Sequence, residues 1–455
     1  MAGRSGNPAV RAARAAVWLV LLLAAGALAA GVEADTGKPA EPDGARGYAV
    51  PPKPAGESAL LVPRLLLLPA RAAIQVGTYP VKAASGVLSS TGIFDRMARA
   101  HERGTYLIPV PCVDPSLGVN FGLRAGHGSP FDPHGIMTYR AAYGGTKEQL
   151  YSLTVRSRDA ELLPYGDGWS YKLMAKYEVL PQKRYFGIGN LSRRADLSYY
   201  TMEQYLFLGT LRYAPSRWMA CDLTVAVHRN QLGPGSYLDA DEKSLERGFP
   251  LETLAPGFWV DPQNMQGEVA LNLDRRDSRG QPHVGWAAEG FVGYALGTGP
   301  DEVDFVRYGG DLQGYLPLAR AQTLALRAAG EEARPSDETR HIKLTELPSL
   351  GGRSTLRGYL PDRFIDNASM LGSAEYRYRL SPLITACCFA DFGKVMPRLL
   401  DFDFNDLHRS FGASLDFARS DQFYFRLLGA RSDEDWVFTA TLEPAFDRQD
   451  RRERR

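Results

Sequence analysis

Residues able to perform catalysis occur in the sequence, but none stands in a spacing that a known catalytic motif requires. The seven histidines are scattered and include no HExxH zinc motif. No GxSxG segment presents a serine on a nucleophile elbow. The Gly187-x-Gly189 pair lacks the helix that a dinucleotide site needs. We therefore expect that the protein is not an enzyme, although a Ser–His pair that meets only in the fold stays open.

Candidate metal ligands are equally sparse. The four cysteines, at positions 112, 221, 387 and 388, form no CxxC pair, and we interpret them as unpaired small apolar side chains. The segment 401–412 begins like an EF-hand loop, but its sixth position is Asp406 and its twelfth is Gly412, where that loop needs glycine and glutamate. We interpret it as a solvated acidic loop and expect neither a metal nor a cofactor.

The composition is typical of a β-rich protein with no affinity for nucleic acid. Lys and Arg number 53 and Asp and Glu 52, so the net charge gives no general reason to bind a polyanion. A hydrophobic content of 44% excludes wholesale disorder. The mean hydropathy of −0.25 is too low for a bundle of membrane helices. It suits a membrane β-barrel, in which only alternate side chains need to be apolar.

The N-terminus has the three parts of a secretory signal peptide. Basic residues at 4, 11 and 14 precede an apolar core at 15–30, which ends in an Ala-Leu-Ala cleavage site. The core is short for a transmembrane helix, which needs about 20 apolar residues. Since no other stretch has that length, we expect an exported chain that is either soluble or a closed barrel.

From about residue 117, apolar and polar residues alternate in runs separated by turn signals. Runs such as 199–214 and 305–319 exceed the about 5–6 residues of ordinary strands and satisfy the about 9–11 that a transmembrane strand needs. About 15 such runs occur, and bacterial barrels usually have an even number of strands. We therefore predict the all-β class, with one antiparallel transmembrane β-barrel of 16 strands in the bacterial outer membrane.

The predicted organisation has five parts. They are a signal peptide (1–30), a Pro-rich leader (31–59), a periplasmic lead-in (60–116), the barrel (117–446) and a charged C-terminal tail (447–455). A short helical pattern is present at 91–104 in the lead-in.

Two motifs follow each other in the second half of the chain. LGGRSTLRGY at 350–359 precedes the run GSAEYRYRL and then FADFG at 389–393. The pair resembles the V/L-R-G-F/Y loop tip and the F-x-D-x-G strand of the bacterial surface antigen superfamily of outer-membrane assembly factors. That family includes BamA, TamA and the two-partner-secretion transporters. RYFGIGN at 184–190 and LDRRD at 273–277 resemble two further segments of the family.

The resemblance implies a loop that enters the barrel and is held there by an ion pair, which we call the lumen lock. It places Arg357 on the sixth outer loop, with Asp391 and Glu375 as its partners on the wall. If Asp391 faces the lumen, period two puts Phe389 and Gly393 there as well. A planar guanidinium suits this role because it donates paired hydrogen bonds to carboxylates. The loop residues completing the site are Gly358, Tyr359, Gly351 and Gly352, the glycines allowing sharp backbone turns.

The sequence leaves two classes of function open. The family implies outer-membrane protein assembly or protein translocation, with outer-membrane lipid and unfolded barrel or secreted clients as partners. Members usually capture clients by strand addition on periplasmic POTRA modules. We identify no such module in residues 31–116, so we expect a periplasmic partner to supply that step. The alternative is a structural barrel or small-solute channel that retains the fold without the insertase role. For the LRGY motif itself, the alternative is an exposed turn with a solvated arginine.

Overall fold

The computed structural model describes the barrel strands and most of their connections. The described residues are 67–77, 105–114, 118–144, 148–157, 165–166, 168–239, 242–249, 263–278, 280–298, 303–381, 383–419 and 422–441. The predicted signal peptide, the leader, the helical pattern at 91–104 and the charged tail lie outside these residues. No helix in the described part of the chain is long and apolar enough to cross a membrane.

Nearly all regular structure is β-strand. The strands are β1 (Tyr106–Asp114), β2 (Gly118–Gly128), β3 (Gly135–Gly144), β4 (Glu148–Ser157), β5 (Gly168–Tyr185), β6 (Ser198–Ser216), β7 (Met219–Pro234), β8 (Gln263–Asp274), β9 (Gly285–Gly297), β10 (Phe305–Ala319), β11 (Gln322–Pro335), β12 (Ser349–Leu350), β13 (Phe364–Ile365), β14 (Ala368–Arg379), β15 (Ile384–Met396), β16 (His408–Arg419), β17 (Gln422–Arg431) and β18 (Trp436–Thr441). The α-helices are α1 (Leu68–Gly77) and α2 (Leu245–Gly248), and 3-10 turns lie at Arg194–Asp196, Leu344–Glu346 and Leu399–Asp401.

Sixteen of the strands form one antiparallel sheet in sequence order, from β1 to β11 and then from β14 to β18. The edge strands β1 and β18 approach each other to within 8 Å between Cα atoms, which brings the two edges of the sheet together as a barrel requires. The predicted 16-stranded antiparallel barrel is confirmed. The two remaining strands, β12 and β13, pair with each other inside the connection between β11 and β14.

The first strand begins before the predicted barrel boundary at residue 117. β1 starts at Tyr106 and pairs with β2 from Tyr106 opposite Gly126 to Asp114 opposite Gly118. Pro109 and Pro111 hide this strand from a sequence reading because proline interrupts the alternation and removes backbone donors. Prolines are tolerated here because β1 lies at an edge of the sheet.

Strand β7 shows how the wall separates an outward apolar face from a buried inward face. In β7, Leu223, Val225 and Val227 are exposed on the outer wall, while Asp222 and Thr224 are buried. Burial of the alternate polar residues shows that the lumen is filled by side chains and loops rather than lined by water alone. The exposed apolar face matches a wall that contacts lipid.

The two ends of the barrel differ in the length of their connections. One end carries short connections, such as 217–218 and 320–321, and the other carries long ones, such as 336–367. Short turns are typical of the periplasmic end of such barrels and long loops of the extracellular end. Aromatic side chains are exposed towards both ends, including Trp169 with Tyr213 at the short-turn end and Tyr294 at the other. These positions fit the aromatic girdles of membrane barrels.

Candidate functional site

The longest described connection at the extracellular end turns back into the barrel. This loop 6 (residues 336–367) joins β11 to β14 and contains the β12–β13 ribbon. Its residues Leu350, Leu356 and Tyr359 form one buried cluster with Leu371 of β14 and Val395 of β15. Loop 6 therefore packs against the inner wall, and its tip is not an exposed turn.

Arg357 lies at the centre of this contact and is 2% exposed. Its Nε donates to Asp391 Oδ2 at 2.8 Å, and its Nη2 donates to Asp391 Oδ1 at 2.6 Å. Its Nη1 donates to Glu375 Oε1. The backbone N–H of Arg357 also donates to Asp391 Oδ2 at 3.2 Å. The guanidinium is thus paired with two carboxylates that are themselves 0% exposed.

Strand register places the two carboxylates under the loop. Glu375 of β14 lies opposite Phe389 of β15, and Asp391 lies opposite Ser373. Because side chains alternate along a strand, these four positions share the lumen face. The Phe389 ring lies beneath the guanidinium, with Arg357 Cζ 3.6 Å from the ring centroid. A desolvated cation over an aromatic ring adds a cation–π attraction to the ion pairs.

Glycines allow the loop to turn and to approach the wall. Gly351 and Gly352 have φ angles of +118° and +96°, a region that side chains with a Cβ rarely adopt. A Cβ on Gly358 would lie 2.7 Å from Ser410 Cβ on β16. A Cβ on Gly393 would lie 3.0 Å from Leu350 Cδ1 of the loop. The close approach of loop 6 to the wall therefore depends on residues without side chains.

A second buried arginine connects loop 6 with two neighbouring loops. Arg363 donates from Nη1 to Ser192 Oγ and from Nη2 to the Ser192 carbonyl, both at 2.8 Å, in loop 3 (residues 186–197). Its Nε donates to Glu434 Oε1 at 2.8 Å in loop 8 (residues 432–435). Tyr359 donates its hydroxyl proton to Asp433 of the same loop. Loops 3, 6 and 8 therefore form one bonded cover at the extracellular end.

The lumen lock extends into a larger charged network on the wall. Arg377 of β14 donates to Glu375 Oε2 from Nη2 at 2.6 Å. Arg426 of β17 donates to Asp416 Oδ1 from Nε at 2.7 Å, and its Nη1 lies 3.9 Å from Glu375 Oε1. With Arg357 and Asp391, the network balances three cations with three carboxylates. That balance matters because an unpaired charge in a buried site is strongly destabilising.

A family model identifies what this architecture belongs to. The model of the Omp85 superfamily domain matches residues 135–418, more than half of the chain. The chain belongs to the Omp85 superfamily. The resemblance predicted from the two motifs is therefore confirmed, and the chain is an outer-membrane β-barrel protein of that family.

Three solved structures are similar to this chain. BamA from Haemophilus ducreyi lacking POTRA domains 1–3 is similar at a TM-score of 0.53 and 14% identity, over 74% of this chain and 70% of that one. CdiB from Acinetobacter baumannii gives a TM-score of 0.48 and 11% identity, over 74% of this chain and 59% of that one. CdiB from Escherichia coli gives a TM-score of 0.47 and 11% identity, over 74% of this chain and 61% of that one. A search of curated proteins finds no match.

The Omp85 barrel brings the predicted site residues together. Arg357, Asp391, Glu375 and Phe389 are in direct contact, and the remaining members, Gly351, Gly352, Gly358, Tyr359 and Gly393, shape or pack loop 6 around them. Their role in function stays a prediction. Sequence reasoning did not connect Arg426 or Asp416 to the lock, because cross-strand neighbours leave no motif.

The weaker motif at 184–190 forms part of the extracellular cover. Asn190 donates from Nδ2 to the Asp406 carbonyl at 2.8 Å, and its Oδ1 accepts from the Val395 N–H at 3.1 Å. The Phe186 ring lies 4.7 Å from Arg363 Cζ. The motif thus ties loop 3 to the ends of β15 and to loop 6, which explains why its residue types are needed there.

The other weak motif folds the periplasmic turn between β8 and β9 (residues 275–284). Asp277 Oδ1 accepts from the backbone N–H of His283 at 2.9 Å, and His283 Nδ1 lies 2.5 Å from Thr323 Oγ1. Burial, together with the nearby Arg379 cation, lowers the pKa of His283 to about 4. Gln281 Nε2 donates to the Ala418 carbonyl at 3.0 Å, on a strand that is not adjacent in the sheet. The turn therefore reaches across part of the periplasmic opening.

The contacts of the lumen lock hold loop 6 against the wall. Within the residues described, no group of three or more His, Cys, Asp or Glu side chains is arranged to hold a metal ion. The acidic segment at 401–412 instead places Asp403 Oδ1 2.7 Å from Lys394 Nζ. A network of matched charges can hold a loop in one position, and it can release that loop if the pairing is exchanged.

Proposed function

We propose that this Omp85 protein assembles or translocates other proteins at the bacterial outer membrane, without catalysis. The observation that carries the proposal is the buried contact of Arg357 with Asp391 and Glu375, which holds the tip of the 32-residue loop 6 (residues 336–367) inside the lumen. A passive solute channel has no evident need for a specific arginine matched to a wall aspartate, because a water-filled pore is built from polar side chains generally.

The filled lumen supports this proposal over the small-solute channel. Loop 6 packs against β14 and β15, and loops 3 and 8 are bonded to it across the extracellular end. The turn at 275–284 extends over part of the periplasmic end. A solute would have to cross both obstructions, whereas a protein client can use the barrel edge instead.

The edge between β1 and β18, which we call the seam, supports the proposal as well. β1 pairs with β2 and β18 pairs with β17, and these two end strands of the sheet approach each other to within 8 Å between Cα atoms. The backbone of an end strand is a template for an incoming strand wherever the two end strands separate. We propose that a client strand pairs at this seam and that a periplasmic partner delivers it.

An insertion assay tests the proposal. The full chain in lipid vesicles is mixed with an unfolded model barrel, with and without a periplasmic extract. We expect faster insertion than in empty vesicles only when the extract is present, and no swelling of the vesicles in small sugars. Equal insertion rates in empty and loaded vesicles with extract, together with sugar-driven swelling, would instead favour the small-solute channel.

A further inference from the structure

Helix α1 packs on the outside of the barrel. Ile74 of α1 is 6% exposed, although the helix lies in the segment that precedes the barrel. Its neighbours in one buried cluster are Leu318 of β10, Leu324 and Leu326 of β11, Tyr376 of β14 and Ala386 of β15. Four strands of the wall therefore contribute to the surface on which this helix rests.

The strand register shows that this surface faces outward. Tyr376 lies between Glu375 and Arg377, both of which belong to the lumen network. Alternation then puts Tyr376 on the outer face, and its partner Leu324 across the β11–β14 ladder lies there too. Other large apolar residues on the outer wall are exposed, such as Phe207 at 61%, whereas Tyr376 is 3% exposed. The helix covers a patch of the outer wall that would otherwise be exposed.

Helix α1 lies near the periplasmic end of the barrel. Leu318 and Leu324 flank the short turn between β10 and β11, and Tyr376 is three residues from the end of β14. α1 has 10 residues, or about 15 Å of helix, which is too short to cross a hydrocarbon core of about 30 Å. A helix at this depth lies at the interface, where water and headgroups reach its backbone ends.

Interfacial depth also explains why the contact is favourable. Lipid tails are as apolar as leucine, so apolar packing inside the hydrocarbon gains little from the hydrophobic effect. At the interface, covering Ile74 and its neighbours removes apolar surface from water. Arg71 remains exposed on the same helix, where a cation is attracted to anionic lipid headgroups.

We propose that the outer wall of β10, β11, β14 and β15 at the periplasmic end is a docking surface for the chain's own helix α1. In the membrane, α1 stays on this surface as an interfacial helix, with Arg71 towards the headgroup phosphates. It fixes the N-terminal segment beside β14, four strands away from the terminal strand β18 in the sheet. α1 itself therefore does not cover the seam. This inference does not depend on the assembly role.

A native cysteine provides the test. Cys388 of β15 is half-buried and packs against the same cluster as Ile74. We expect full-length Ile74→Cys in lipid vesicles to be cross-linked to Cys388 by a short bis-maleimide, as seen by mass spectrometry. The matched control, Ile74→Cys with Cys388→Ser, should lose that cross-link. A folded barrel, judged by its heat-dependent gel shift, that gives no cross-link to Cys388 would overturn the proposal.

A second measurement needs no added cysteine. Ile74→Asp should undock α1 because it places a charge in the apolar cluster, and the alkylation rate of Cys388 by N-ethylmaleimide should then rise several-fold. Cys221 on the outer face of β7 is the internal standard and should not change. An unchanged Cys388 rate would show that α1 does not cover this wall in the membrane.

Discussion

Replacing Arg357 by alanine is expected to release loop 6 from the wall. The change removes the arginine that Glu375 and Asp391 share, and the two carboxylates keep different partners. Glu375 keeps Arg377, with Nη2 at 2.6 Å. In the part of the chain described, Asp391 keeps only the Ser410 hydroxyl at 3.3 Å, and no cation, because its other donors belong to loop 6. One buried charge is therefore orphaned.

The expected loss in the free energy of unfolding follows from the number of orphaned carboxylates, which is one. Removing one partner of a buried ion pair costs about 3–5 kcal/mol, and we expect about 3 kcal/mol because a single carboxylate is orphaned. Removing both charges in Arg357→Ala with Asp391→Ala should recover much of this loss, since the orphaned charge is gone. The control is Arg334→Ala, which breaks an exposed pair with Glu338 and should cost about 0–1 kcal/mol.

Two assays measure the stability of the Arg357→Ala variant and the release of its loop 6. Urea unfolding of the vesicle-embedded barrel gives the change in the free energy of unfolding. Limited trypsin digestion reports loop release, because loop 6 contains Arg353 and the buried Arg363 as cleavage sites. If Arg357→Ala unfolds at the same urea concentration as the unaltered protein and resists trypsin equally, the lumen lock does not hold the loop.

Three further changes have defined outcomes. Gly358→Val should destabilise the loop by about 1–3 kcal/mol because its side chain meets β16, whereas Gly372→Ala, with open space around it, should be neutral in urea unfolding. The pKa of His283 falls from 6.5 to about 4 on folding, so the unfolded state binds the proton first, and stability should drop by roughly 3 kcal/mol as pH falls between these values. His283→Asn should remove that part of the pH dependence, and identical pH profiles would contradict the assignment. Arg363→Ala should speed hydrogen exchange in loops 3 and 8 together, and a change confined to loop 6 would refute their coupling.

Alternation predicted the barrel well where strands are long and free of proline. The predicted run 305–319 coincides with β10, and 199–214 lies within β6. Alternation did not reveal β1, because two prolines mask the pattern there. It also gave no sign of α1, whose contacts are with distant strands and not with its neighbours in sequence. No local pattern signals a helix that docks on the outer wall.

The lumen lock was predicted from motif resemblance and not from spacing. Period two placed Asp391 and Phe389 on one face, but only tertiary folding determines that loop 6 enters the barrel. Arg426 and Asp416 were not predicted because their pairing depends on register between β16 and β17, where they lie directly opposite each other. Register is fixed by turn geometry and by the whole sheet, which a single strand's sequence does not contain.

Depletion of the protein followed by quantification of the outer-membrane proteome tests the assembly role most directly. The account predicts broad loss of other barrels or of secreted clients, restored by the unaltered chain but poorly by Arg357→Ala expressed at the same level. An outer-membrane proteome and a set of secreted proteins that do not change on depletion would contradict it and would leave a structural barrel.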